Sequence, residues 1–261
     1  MQYSTFAAID IGSYDVILEI FEISKKQGIR SVDKICHRME LGKDTYTLGK
    51  IRPEMEEELC RVLADFVRIM EGYRVDAYRA MASSAISEAA NSLYVLGKIR
   101  QLTGLSVTVL SNSEQRFLGY KALAAMEDNF NKIIEKGTAI LDLDGGSFQI
   151  SLFDKDALVT TQNIRMGSLR IRERLAGIQS ETEHYEEMVE ELIWNEVSSF
   201  KKMYLKDRKI ENIMLIGDVF TDSVYQNIEE KTTKIISREN FNTWYEKIIR
   251  QSPMELAVKL G

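Results

Sequence analysis

The sequence predicts an α/β chain built from two duplicated halves, and three observations carry that expectation. Short apolar runs of strand length alternate with longer runs of helical period along the chain. A strand–turn–strand unit occurs twice, headed by Asp10 and by Asp142, half a chain apart. That offset is a duplication at domain scale and not a solenoid period. Finally, 261 residues suit two domains, expected at 1–130 and 131–261 with the boundary near 127–137.

The elements follow in order. Phe6-Ala7-Ala8-Ile9 reads as a strand, Asp10-Ile11-Gly12-Ser13 as a turn, and Val16 to Ile23 as a returning strand. Gly28 turns the chain into a third strand near 29–41. From Pro53 to Gly72 the apolar positions Met55, Leu59, Val62, Leu63, Phe66, Val67 and Met70 take helical spacing, with Pro53 in the first turn. Glu54, Glu56, Glu57 and Glu58 suit the positive end of that helix as a solvated start, not as a metal site. A strand near 75–82, a helix near 86–101, a strand at 107–110 and a helix at 113–126 come next. Lys132 to Gly137 reads as a hinge. The opening pattern then returns: Ala139-Ile140-Leu141 as strand, Asp142 to Ser147 as turn, and Gln149 to Phe153 as strand. A strand near 157–164, helices near 168–176 and 181–205, a strand at 213–217 and a helix at 240–246 complete the series.

Composition excludes several classes of function. Lys and Arg total 34 against 40 Asp and Glu, a net charge of −6, which argues against a nucleic-acid binder working by bulk charge. No apolar run approaches the ~18 residues needed to span a bilayer. Met1-Gln2-Tyr3-Ser4-Thr5 lacks the character of a signal peptide. Cys36 and Cys60 are isolated thiols, as in a reducing compartment. A soluble, cytoplasmic protein without nucleic-acid or membrane partners is expected. The histidines are His37 and His184, both read as structural. They are too few for a clustered Cys/His zinc site, and a Ser-His-Asp hydrolase finds no G-x-S-x-G elbow. Lys201, Lys202, Lys206, Arg208 and Lys209 read as the solvated basic end of a helix. Chemistry here rests on carboxylates, hydroxyls, backbone amides and a metal.

The repeated turn has a physical purpose. Glycine lets an oxyanion approach backbone amides closely, a serine hydroxyl adds a donor, and the Asp can hold a divalent cation directly or through water. One Asp-x-Gly-Ser alone is weak evidence. Two of them, one per half and each between apolar strands, make a phosphate clamp.

This arrangement resembles the actin-like ATPase superfamily, whose phosphate loops lie on duplicated domains. Within it the sequence is similar to the exopolyphosphatase / guanosine pentaphosphate phosphohydrolase (Ppx/GppA) family, collinearly from Phe6 to about Gly217. Residues 7–13 match the opening A-A-I-D-x-G-S-N. Ala82 to Asn91 match A-T-S-A-x-R-E-A-x-N, and Val109 to Gln115 fall on I-S-G-x-E-E. Residues 141–147 fall on I-D-I-G-G-G-S, and Met166 to Arg170 resemble L-G-A-V-R. The resemblance implies two ribonuclease-H-like domains of the actin type with a cleft between them. It implies cleavage of terminal phosphates from inorganic polyphosphate or guanosine pentaphosphate with Mg²⁺ or Mn²⁺. Asp10 and Asp142 would organise the metal across the cleft, and Gly12, Ser13, Gly145, Gly146 and Ser147 would hold phosphate. A homodimer is the candidate assembly.

Departures from the pattern fall inside the motifs. The family takes its general base from the second Glu of the E-E pair, which is Gln115 here. Glutamine cannot accept a proton, so a contribution of roughly 10²–10⁴-fold is lost unless another group substitutes. Glu114 is the candidate base, but a helical neighbour points about 100° around the axis. The family's arginine falls on Ser87, which removes a positive fork for phosphate. Its asparagine after the first G-S is Tyr14, and one glycine of the second loop is Asp144. S-T-E becomes Ser147-Phe148-Gln149, where that Glu assists the metal. G-x-G-G-T falls on Gly217-Asp218-Val219-Phe220-Thr221. The chain ends at Gly261, ahead of the strand and helix with which the family continues, so a shortened second domain is expected.

Three readings stand on these residues. The first is a Ppx/GppA-type phosphohydrolase, weakened by its substitutions. The second is a catalytically silent sensor or scaffold that binds polyphosphate or a guanosine alarmone. The third, an actin-like ATP-dependent kinase, lacks the glycine pair at 217–221.

Overall fold

The computed structural model describes residues 3–26, 28–127, 129–179, 184–217 and 237–251. Strand β1 (Ser4–Ile11) runs antiparallel to β2 (Asp15–Ser24), which runs antiparallel to β3 (Gly28–Arg38). Helices α1 (Leu41–Leu48) and α2 (Pro53–Gly72) lead to β4 (Ala77–Ala82), parallel to β1. After α3 (Ser84–Ser87) and α4 (Ser92–Thr103), β5 (Val107–Val109) joins parallel to β4. The sheet order is β3-β2-β1-β4-β5. Then follow α5 (Asn112–Met126), α6 (Phe130–Ile134), β6 (Thr138–Leu143), β7 (Phe148–Asp154) and β8 (Ala157–Ile164). Helices α7 (Ser168–Gln179) and α8 (Tyr185–Tyr204), strand β9 (Asn212–Ile216) and helix α9 (Arg238–Ile249) complete the described chain.

The second sheet, ordered β8-β7-β6-β9, repeats β3-β2-β1-β4 strand for strand, including the parallel pairing of β6 with β9. Asp10 is the penultimate residue of β1 and Asp142 the penultimate residue of β6. The duplication in the sequence is therefore a duplication of topology, and the α/β class expected from it holds. Each sequence half carries one sheet, but packing interleaves the chain. One compact unit comprises Met1–Phe117, Gly145–Phe148 and Ile164–Ser199; the other comprises Leu118–Asp144, Gln149–Asn163 and Phe200–Gly261.

In the first unit, alternation along β1 and β2 buries Ala7, Ile9, Ile11, Val16, Leu18 and Ile20. Helix α2 covers this face with Leu59, Val62, Leu63, Phe66 and Met70, each large side chain contributing about 1.5–3 kcal/mol. Pro53 stands in its first turn, where a missing N–H costs nothing. The core of the second unit gathers Phe130, Ile134, Ile140 and Phe153. Tyr120 packs edge-on to Phe153 at 5.2 Å between ring centroids. Among the described residues no helix is long and apolar enough to cross a membrane.

Several expectations change. The strand expected to reach residue 41 stops at Arg38, and α1 follows it, built from the poor helix formers Gly42, Thr45 and Thr47. Tertiary contact overrides propensity there: a β-carbon on Gly42 would lie 2.6 Å from Tyr46 Cε2 and 2.9 Å from Leu169 Cδ2. The helix expected at 86–101 is broken into α3 and α4. The hinge expected at 132–137 contains the end of α6, with Ile134 buried. Gly137 serves close approach, because a β-carbon there would collide with the Lys209 carbonyl. The Glu-rich start of α2 is not wholly solvated either. Glu56 is buried and accepts hydrogen bonds from Asn91 Nδ2 at 2.8 Å and Lys98 Nζ at 3.3 Å.

Two measurements check these contacts. Glu56→Ala removes a partner from Lys98 and one of the two acceptors of Asn91 Nδ2, which keeps Ile51 O, so urea denaturation should show a loss of about 1–2 kcal/mol with an unchanged slope. Glu40 accepts a forked pair from Arg172 at 2.9 and 2.5 Å, and this hydrogen bonding holds its carboxyl below the usual value of 4.5. Its contribution is therefore present above that ordinary value and lost as pH falls through the depressed one. Glu40→Gln should be about 1–2 kcal/mol less stable than the parent at pH 7, and the gap should close in acid.

Candidate functional site

The first turn is held by its own backbone. The Gly12 amide donates to Asp15 O at 2.9 Å, so it closes the turn rather than facing outward. A β-carbon at Gly12 would lie 3.0 Å from that same oxygen. Ser13 O accepts from the Gly42 amide and Tyr14 O from the Met39 amide, both at 2.9 Å, which ties the turn to the start of α1. Ser13 is fully buried.

The second turn packs on the first. A β-carbon on Gly145 would stand 3.2 Å from Ser13 Cβ and 3.4 Å from Leu169 Cβ. One on Gly146 would collide with Tyr46 Oη and Ser84 Oγ. Those hydroxyls form a closed triangle with Ser13 Oγ: 2.7 Å from Ser13 to Tyr46, 2.9 Å from Tyr46 to Ser84, and 3.3 Å from Ser13 to Ser84. Ser13, Gly145 and Gly146 are thus packed together, with Gly12 one residue before Ser13. Tyr46 occupies the space over the second glycine. Ser147, the last of the expected phosphate residues, is buried beside them in sequence.

Charge surrounds this cluster in nearly balanced pairs. Arg170 donates Nε to Gly146 O at 2.8 Å, stacks its guanidinium 3.8 Å from the centroid of Tyr46, and reaches both oxygens of Glu88 at 3.1 and 3.0 Å. Arg165 also pairs with Glu88. On the other side Tyr14 lies under two guanidiniums, those of Arg38 at 5.2 Å and Arg172 at 5.9 Å. Arg172 is itself neutralised by Glu40 and Glu173, which push its pKa above the usual value. None of Tyr46, Glu88, Arg165, Arg170 and Arg172 was singled out from the sequence. Glu88 and Arg170 fall inside two of the resembling segments, where a paired charge could have been sought. Tyr46 and Arg165 carry no local signal.

The expected catalytic pair opens α5. Ser111 donates to Glu114 Oε2 from the backbone at 2.9 Å and from the hydroxyl at 2.8 Å. The Glu114 amide returns a bond to Ser111 Oγ at 3.3 Å. This is a capping box. Its hydrogen bonds, the backbone one first, hold the Glu114 carboxyl below its ordinary pKa. Gln115, one position on, is half-buried.

The metal residues fall in different units. Asp10 is exposed in the first, and Asp142 is half-buried in the second with Asp144 two residues on. Among the described residues no three His, Cys, Asp or Glu side chains form a group that could hold a metal. Asp142 and Asp144, two residues apart in one unit, are carboxylates of the kind that hold a hydrated Mg²⁺ beside phosphates. Gln149, where the resemblance implies a metal-assisting Glu, is buried, and its Oε1 has no hydrogen-bond partner among the described residues. Positions 218–221 lie outside the described residues.

The sequence profile of the Ppx/GppA phosphatase family matches residues 19–259. A bifunctional 3-dehydroquinate synthase/phosphatase of Fusobacterium nucleatum is 22% identical over 238 residues, which is 86% of this chain and 34% of that protein. Exopolyphosphatase 1 of Mycobacterium leprae is 26% identical over 144 residues, 55% of this chain and 41% of the relative. The chain therefore spans between a third and a half of the length of these curated relatives. The crystal structure of the Aquifex aeolicus Ppx/GppA family member superposes with a TM-score of 0.72 at 21% identity, covering 97% of this chain and 81% of that one. With two sheets of matching topology and a family match across nearly its whole length, the chain belongs to the Ppx/GppA phosphatase family and has the α/β fold of its solved members.

Proposed function

We propose that this chain binds the terminal phosphates of a linear phosphoanhydride, inorganic polyphosphate or guanosine pentaphosphate, and hydrolyses them slowly compared with a family member that carries the general-base glutamate. The sequence halves 1–130 and 131–261 are the duplicated domains in this reading, each supplying one glycine turn. Family membership and the names of the relatives, exopolyphosphatase and phosphatase, support the substrate class.

The observation that carries the slow turnover is the capping box at Ser111 and Glu114. In-line attack on a phosphoanhydride needs a positioned water, charge neutralisation and a carboxylate to take the proton. The Gln115 amide can orient a water by hydrogen bonding but cannot accept its proton. Glu114 is occupied by Ser111, and a lowered pKa makes it a poorer base. A bound Mg²⁺ or Mn²⁺ would neutralise phosphate charge, with Asp10, Asp142 and Asp144 as its carboxylate donors. The Gly145–Gly146 turn and Ser13 orient the phosphate end, with the hydroxyls of Tyr46 and Ser84 packed against them.

A catalytically silent sensor or scaffold is the second reading, and the position of Tyr46 supports its scaffold form. Its hydroxyl fills the space that Gly146 leaves, so anion entry requires Tyr46 to move.

Phosphate release from polyphosphate and guanosine pentaphosphate, with and without Mg²⁺ and beside a binding titration, separates the readings. Slow release supports the hydrolase, binding without release the sensor, and neither a scaffold. Gln115→Glu should raise release roughly 10²-fold. No gain would place the obstacle in the loops instead. Asp144→Gly should tighten metal-free binding of short-chain polyphosphate and reduce its dependence on Mg²⁺, because a carboxylate beside a phosphate oxygen costs several kcal/mol at ~4 Å and an effective dielectric of about 20. Calorimetric titration in chelator and in excess cation reads both effects. Tight metal-free binding by the unmutated chain counts against any damage to the clamp by Asp144.

A further inference from the structure

Glu88 is one carboxylate shared by two guanidiniums. Arg170, the less exposed at 19%, reaches both its oxygens and also holds the Gly146 carbonyl. Arg165, 66% exposed, reaches Oε2 with Nη2 from the chain just after β8. Two positive charges against one negative leave the Glu88 group itself with a residual charge of about +1, opposed at the head of the turn by Asp144. A guanidinium carries five N–H donors in a planar fork that matches phosphate oxygens. Exposure at Arg165 leaves the donors not used by Glu88 facing solvent.

We infer that Arg165 is a specificity-determining contact for a phosphate group of the bound polyanion, presented by Glu88, with Arg170 as the positioning residue that fixes Glu88 to the Gly146 turn. The inference rests on the phosphoanhydride reading and adds to it the side chain that touches the anion. The two arginines differ in what their surroundings allow. Arg170 is locked between the Tyr46 ring, Gly146 O and Glu88, so its donors are spent within the protein. Arg165 has a single anchor and an accessible face. A second observation points the same way. Ser87, where the resemblance implies an arginine, is exposed and immediately precedes Glu88. A guanidinium anchored on Glu88 brings a positive fork to that neighbourhood from another part of the chain. An exposed ion pair has little structural value, so losing Arg165 should weaken anion binding without unfolding the protein.

The test is calorimetric titration of the full chain with inorganic tripolyphosphate in excess Mg²⁺. Arg165→Gln should weaken binding about 10-fold or more, as expected for loss of charge-assisted hydrogen bonds. Arg165→Lys should recover part of that loss, since it keeps the charge and loses the fork. Arg68→Gln, an exposed charge on α2, should change affinity by less than about 2-fold and serves as the control for long-range charge. Thermal midpoints of all variants should match the parent. Equal small effects of Arg165→Gln and Arg68→Gln overturn the role of Arg165 while leaving the phosphoanhydride reading intact. Failure of the parent chain to bind tripolyphosphate overturns both.

Discussion

Gly146 has no room for a side chain, and much of the site's arrangement follows from what fills that space. Tyr46 and Ser84 place their hydroxyls against it, Ser13 closes the triangle from the first turn, and Gly145 rests on the Ser13 β-carbon. Tyr46 can reach this point because α1 begins at Leu41, directly after β3, and because Gly42 lets the Tyr46 ring lie over the helix start. Arg170 then caps the ring from above and ties it to Gly146 O. Two glycines in two segments, Gly42 and Gly146, are thus constrained by one tyrosine. Interiors tolerate added volume poorly, so this constraint sets the spacing of the turns more firmly than the hydrogen bonds alone could.

The charges around the triangle are arranged as a consequence. Each arginine near the turns has a glutamate within hydrogen-bonding distance, Arg170 and Arg165 on Glu88, Arg172 on Glu40 and Glu173. Such pairing lets guanidiniums stand beside apolar packing without a net field that would repel their own neighbours. It also means that an arriving anion competes with protein carboxylates. Affinity then depends on which arginine retains donors after its internal partner is satisfied. Exposure separates Arg165 from the rest on that criterion, since Arg170 and Arg172 are each bound on more than one side.

The topology was legible because strand alternation and the Asp-headed turns are local signals. Helix α2 was placed at 53–72 by its apolar spacing and its proline, and both ends agree with the structure. Helix α1 was not legible, because Gly42, Thr45 and Thr47 carry no helical preference and the segment is held by Ser13 and Leu169 instead. Ser13, Gly145 and Gly146 were named from their turn chemistry. Tyr46 and Arg165 were not, because each acts through a contact distant in sequence and sits in no recognisable motif. Glu114 was read by its residue type alone. Its type suggested a base, while the Ser-x-x-Glu spacing that makes it a helix cap was present in the same four residues.

Two substitutions in this chain are linked by chemistry. Gln115 and Gln149 stand where the family resemblance implies glutamates, and each keeps nearly the size and hydrogen-bonding reach of a carboxylate while losing its charge and proton affinity. Removing two negative charges lowers the repulsion felt by a polyanion and also weakens the hold on a divalent cation. Asp144 returns one negative charge at the second turn, two residues from Asp142 on the strand that carries it. In the proposed reading the balance therefore moves away from proton transfer, which needs a basic carboxylate, and toward anion recognition, which needs shape and positive charge. A capping box at Glu114 completes that shift, since the remaining carboxylate of the pair is committed to starting α5. Helix nucleation and catalysis ask different things of the same side chain, and here the hydrogen bonds of the helix start have taken it.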